Sequence, residues 1–182
     1  IYTSRHYDSD DQLYEDFRKE TGIKINVISG NGSALLERLK SEGANSPADI
    51  FFTVDAGNLW KIQKEGYFQS ISSAKALSIV PKNLRGPNNE WIAIAKRARV
   101  IFYNPDNVSS AAIKDLGYEN LADKEWSKRI VIRSSNNIYN QSLVASLIST
   151  HGVEKTELWA KGLVSNFARK PQGNDRSQIM AV

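Results

Sequence analysis

Chemistry-bearing side chains are few in this sequence, and the most versatile of them stand in polar stretches. His6 and Tyr7 are adjacent, and Tyr139 lies in Arg133-Ser-Ser-Asn-Asn-Ile-Tyr-Asn140. In a loop, neighbours 6 and 7 can turn toward one point and offer an imidazole nitrogen and a phenol oxygen. Two readings stay open for them. In one, Tyr7 is a half-buried loop aromatic and His6 a surface histidine, since both types are commonly only partly buried. In the other they serve a hard metal cation. A highly charged Lewis acid such as ferric iron favours anionic oxygen, and it lowers a tyrosine pKa from about 10 until phenolate is the bound form. Tyr139 is likewise either a packing residue at a helix start or a ligand-facing group.

Two further features invite anions. Arg97 and Arg99 alternate about Ala98 and so share one face of an extended segment, either as a surface pair or as cations that hold an anion or balance phenolate charge. Gly30-Asn31-Gly32-Ser33 sits between a strand pattern and a helix pattern, where glycines let backbone approach an anion. Asn31 and Ser33 are its polar side chains, and an ordinary strand-to-helix turn explains the same string.

Other classes of chemistry fall away. The chain has no cysteine, so thiolate metal sites, disulfides and cysteine nucleophiles are excluded; this composition suits an exported protein. His6 and His151 are the only histidines, and neither Gly-x-Ser-x-Gly nor His-Glu-x-x-His occurs. The 20 carboxylates are scattered, no acid–base pair is placed, and the sequence reads as a binding protein and not an enzyme. A net charge of +4 is spread over 24 basic and 20 acidic residues without a run of either sign. Lys96, Arg97 and Arg99 are too few to track a nucleic-acid backbone. No apolar stretch approaches the roughly 20 residues of a membrane helix, and Ile1 reads as a mature N-terminus.

The elements that must position these groups alternate. Ile1–Ser4 reads as a strand, Asp8–Asp10 as helix-capping residues, and Leu13, Tyr14 and Phe17 as a helix closed by Thr21-Gly22. Ile23, Ile25 and Val27 alternate as the next strand, a helix runs from Ala34 to near Gly43, Asp49–Thr53 is an apolar strand, and Asp55 opens a helix to Gly66. Arg85–Asn89 is turn chemistry. Trp91–Tyr103 reads as one long strand crossing between lobes, which places the boundary between 1–97 and 98–182. Beyond it Leu121–Trp126 reads as helix, Ile130–Ile132 as strand and Asn137–Thr150 as helix. The fold class is α/β, with mostly parallel sheets flanked by helices, and ligands belong at the carboxyl ends of the strands.

Five strings, Tyr2-Thr-Ser-Arg-His-Tyr7, Pro47-Ala-Asp-Ile-Phe-Phe-Thr-Val-Asp55, Lys96-Arg-Ala-Arg-Val100, Arg133 to Asn140 and Pro171-Gln-Gly-Asn-Asp-Arg176, together resemble bacterial periplasmic ferric-iron-binding proteins of the FutA and IdiA branch. The resemblance implies a two-lobed, type II periplasmic-binding-protein fold that holds Fe(III) in a cleft between lobes and delivers it to an ABC permease. Carried over by position, it implies His6, Tyr7 and Tyr139 as metal ligands, and Arg97, with Arg99 beside it, near the metal or a synergistic anion such as carbonate or citrate. Some relatives carry a glutamate ligand where this chain has Val54, which leaves Asp55 as a helix cap. The family's Tyr-Tyr pair and the segment that returns to complete the first lobe lie beyond Val182. The rival expectation on the same fold is a binder of a small organic or anionic ligand, such as a polyamine, a thiamine-like compound or a phosphonate.

Overall fold

A computed structural model describes residues 1–5 and 7–182, which form two compact units, Ile1–Lys96 and Arg97–Val182. In the first unit β1 (Tyr2–Thr3) lies between β2 (Ile28–Ser29) and β3 (Phe51–Phe52), both parallel to it, with Tyr2 in register with Ile28 and Phe51. Three helices follow the strands: α1 (Asp8–Thr21), α2 (Gly32–Glu42) and α3 (Ala56–Lys64). A short α4 (Ala74–Ile79) and an Arg85–Ile92 antiparallel bridge complete the unit. The bridge closes the predicted turn, with Gly86 donating to the Trp91 carbonyl.

Local chemistry places these elements. Gly22, at φ 72°, ends α1 in the left-handed region that glycine enters without steric cost. Asn31 caps α2 by accepting the Ala34 amide at 2.8 Å, and Asp55 caps α3 by accepting the Gly57 amide at the same distance. Leu35 and Leu39, one turn apart on α2, are buried with Tyr2 and Ile62. Tyr2 carries its hydroxyl into this core, and the sequence answers with partners. The hydroxyl donates to the Glu42 carboxylate and accepts from Arg38 Nε at 3.1 Å, while Arg38 Nε also reaches Glu42 Oε1 at 2.7 Å.

In the second unit a short α5 (Ser110–Ile113) and two 3₁₀ turns, Glu119–Ala122 and Lys124–Trp126, precede α6 (Ile138–His151), α7 (Val153–Ser165) and α8 (Asp175–Ile179). Trp126, Leu147 and Leu163 are its buried apolar residues. Gly162 lets α7 approach the first 3₁₀ turn, since a Cβ there would stand 2.8 Å from the Ala122 carbonyl oxygen. Buried Asn166 ties the same turns down by donating to the carbonyls of Leu121 and Asp123.

Several expected boundaries shift. Parallel pairing engages Asn26–Gly30 instead of Ile23–Val27: Ile1 donates to the Asn26 carbonyl, and Ile28 and Gly30 donate to the carbonyls of Ile1 and Thr3. Trp91–Tyr103 is not a ladder strand. Ala93 still donates to the Leu84 carbonyl, but beyond it no described segment pairs with the backbone of residues 94–103, and a strand without a neighbour has no ladder to join. Leu121–Trp126 winds as 3₁₀ turns, and the strand expected at Ile130–Ile132 reduces to one parallel bridge between Ile130 and Phe167. Asp8 and Asp10 lie inside the first turn of α1, where carboxylates suit the helix dipole, and Tyr7 holds the cap position.

Hydrogen bonds from Tyr2 and then Arg38 hold the Glu42 carboxyl below its usual range. Its stabilising effect is therefore complete above the ordinary carboxylate pKa and is lost as pH falls through the lowered folded value. Urea unfolding from about pH 7 to about pH 3 should show a loss of stability on acidification that is smaller in Glu42→Gln. Tyr2→Phe should cost about 1 kcal/mol at neutral pH.

Candidate functional site

Tyr139 stands in the first turn of α6, and its position follows from the loop that leads into the helix. Asn137 caps α6 by accepting the Tyr139 amide at 3.1 Å. The Asn140 side-chain amide reaches back to the carbonyls of Arg133 at 2.8 Å and Ser134 at 3.2 Å, and Gln141 does the same to Ser135. Asparagine and glutamine in this stretch thus satisfy backbone groups that the turn would leave unpaired.

The half-buried ring of Tyr139 is surrounded by cations. Arg97 donates to the phenol oxygen at 2.5 Å, with its guanidinium carbon 5.3 Å from the ring centroid. Arg99 lies over the ring at 4.1 Å and Arg133 at 5.7 Å, all three within the range of cation–π attraction. Arg97 and Arg99, expected from their alternation to share one face, both reach this ring although no ladder forms. One carboxylate joins the group: Asp175, in the first turn of α8, accepts from Arg133 at 3.0 Å and lies 3.7 Å from Arg99. An arginine cluster around a phenol oxygen can hold an anion beside a metal-bound phenolate.

In the first unit Tyr7 is the N-cap residue of α1 and 39% exposed. Arg5 packs between aromatic rings, 4.9 Å from Tyr7 and 4.5 Å from Phe52, and is clamped by both oxygens of buried Asp10 at 2.9 and 2.8 Å. That bidentate pair raises the Arg5 pKa above its ordinary value and fixes the cation beside Tyr7. Asn31 and Ser33 lie at the start of α2, where the Asn31 carbonyl group of the side chain is spent on capping, and Ser33 is exposed. Asp55 is the cap of α3. His6, also expected at this site, lies outside the described residues.

His151 serves elsewhere. Its Nε2 is 3.0 Å from the Glu119 carboxylate, at the last turn of α6, while Tyr139 is in the first. Twelve residues of helix separate the two by roughly 18 Å, too far to share one ligand. Among the described residues no group of three or more His, Cys, Asp or Glu side chains gathers as a metal site; beside the arginines stand the Tyr139 phenol oxygen and the single carboxylate of Asp175. Sequence reasoning passed over Arg133 and Asp175. Both lie in strings it singled out, but a contact over 42 positions has no local signature.

Residues 3–133 match the model of the bacterial extracellular solute-binding protein family. Over all 182 residues the chain is 54% identical to iron uptake protein A1 of Synechocystis, of which it covers 50%. It superimposes with a TM-score of 0.90 and 56% identity on a Trichodesmium IdiA (FutA) structure in complex with iron and citrate, covering 99% of this chain and 56% of that one. The ferric binding protein of Campylobacter jejuni gives a TM-score of 0.93 at 40% identity, over all of this chain and 58% of that one. The chain spans about half the length of the curated relatives it matches.

Asn140→Ala should free the carbonyls of Arg133 and Ser134 and loosen the turn that presents Tyr139. Hydrogen exchange should quicken at the first-turn amides of α6 and stay unchanged at its last turn, with a cost of about 1 kcal/mol to the second unit.

Proposed function

We propose that this chain, which belongs to the bacterial extracellular solute-binding protein family, captures ferric iron through tyrosine oxygens for delivery to an ABC-type iron permease. The observation that carries the reading is the convergence of three guanidinium groups on the phenol of Tyr139, in a chain that follows an iron- and citrate-bound homologue along nearly its whole length.

Tyr139 and Tyr7 are the proposed phenolate donors and His6 the proposed imidazole donor for ferric iron. Phenolate is a hard anionic ligand suited to a trivalent cation, while imidazole is borderline and widens tolerance to Fe(II). Arg97 keeps its hydrogen bond to the Tyr139 oxygen when that oxygen gives up its proton, and so offsets charge at the ligand atom. Arg99 and Arg133 bring further positive charge beside the ring, which suits a carbonate or citrate anion completing the coordination. The role is capture and release rather than turnover. A periplasmic location fits this work; no helix among the described residues is long and apolar enough to cross a membrane.

Ferric citrate added to the purified chain should produce a phenolate-to-iron charge-transfer colour, lost or strongly weakened in Tyr7→Phe. Protons compete with the metal for phenolate and imidazole, so retention should be high near pH 8 and fall steeply by about pH 4. Equal retention at the two pH values, or undiminished colour in Tyr7→Phe, would contradict this ligand set.

A further inference from the structure

Asp175 is the sole carboxylate among the described partners of the arginines around Tyr139, and its geometry is that of an occupant that can leave. One oxygen takes a hydrogen bond from Arg133 at 3.0 Å, and the other faces Arg99 at 3.7 Å, beyond hydrogen-bonding distance. The Asp175 side chain is 52% exposed, against 20% for Arg133 and 39% for Arg99. The carboxylate thus sits on the water side of two better-covered cations. A partly exposed pair of this kind is worth at most about 1 kcal/mol, which an incoming carboxylate can match. The arginine is also incompletely served: Arg133 Nε is buried without a partner, so Asp175 uses one edge of a five-donor group built for bidentate acceptors.

We propose that Asp175 is an internal competitor for the carboxylate anion of this site: it occupies Arg133 and Arg99 in the anion-free chain and must be displaced when citrate or a similar carboxylate binds beside Tyr139. Its importance for iron rests on Tyr139 being a ferric ligand, but the competition itself needs no metal. Because the same two guanidiniums lie over the Tyr139 ring, displacement would pass directly to the surroundings of the phenol. Asp175 thereby acts as a positioning residue that sets how much free carboxylate the site requires. Without it the arginines would hold whichever anion arrived first, and exchange between anions would slow.

Citrate titration of the metal-free 182-residue chain by calorimetry tests this. Asp175→Asn and Asp175→Ser should each bind citrate roughly three- to tenfold more tightly than the parent. Asp175→Glu should restore parental affinity, and Arg99→Gln should bind more weakly. A merely structural Asp175 predicts the opposite order, with looser binding in Asn and Ser variants whose circular dichroism is unchanged. That order, equal affinity across the series, or no citrate uptake by any variant would overturn the proposal. The outcomes separate from the iron reading: the predicted citrate ranking without ferric colour removes iron and keeps the competitor, whereas ferric colour with unchanged citrate affinity removes only the competitor.

Discussion

The hydrogen bond from Arg97 to the phenol oxygen of Tyr139 is the constraint on which the second unit's chemistry depends. Arg99 reaches the same ring as Arg97 from two positions along a stretch that belongs to no helix or strand. The hydrogen bond requires Tyr139 to be held still, which the Asn137 cap and the backward bonds of Asn140 achieve from the helix side. The polar loop of residues 133–137 is thus ordered by its own side chains and leaves the ring with cations as close neighbours. An apolar surround would have left a phenol suited to packing; this one places positive charge beside the oxygen that we propose as a ferric ligand.

The first unit solves a related problem differently. Its sheet is short, two residues per strand, so backbone pairing alone holds little. Side-chain networks add the rest. Tyr2, Glu42 and Arg38 lock β1 to the end of α2, and Arg5 and Asp10 lock the β1–α1 loop to the start of α1. Both networks use arginine with a carboxylate, whose planar geometry fixes orientation as well as proximity. Tyr7 lies between the two partners of the second network, so the clamp closes over the stretch of backbone that carries it.

Local pattern carried much of this architecture. The helices at Asp8–Thr21, Gly32–Glu42, Ala56–Lys64 and Ile138–His151 match the expected apolar spacing and the expected cap at Asp55, because those signals act within a turn of chain, while the caps at Asn31 and Asn137 emerge from the structure. Strand limits were less legible: alternation at Ile23, Ile25 and Val27 marks an extended segment, while pairing is decided by where β1 offers its carbonyls. Trp91–Tyr103 shows the same limit, since β-rich composition cannot supply a neighbour. At the site, Arg97, Arg99 and Tyr139 were visible from alternation and loop position, whereas Arg133 and Asp175 join them through contacts that no periodicity encodes.

Iron K-edge X-ray absorption on the ferric-loaded chain, parent against Tyr139→Phe, tests the central claim most directly. A first shell of short oxygen ligands that loses one oxygen in the variant, with the arginines untouched, is the predicted result. An identical first shell in the two proteins would show that the phenol held by Arg97 does not meet the metal.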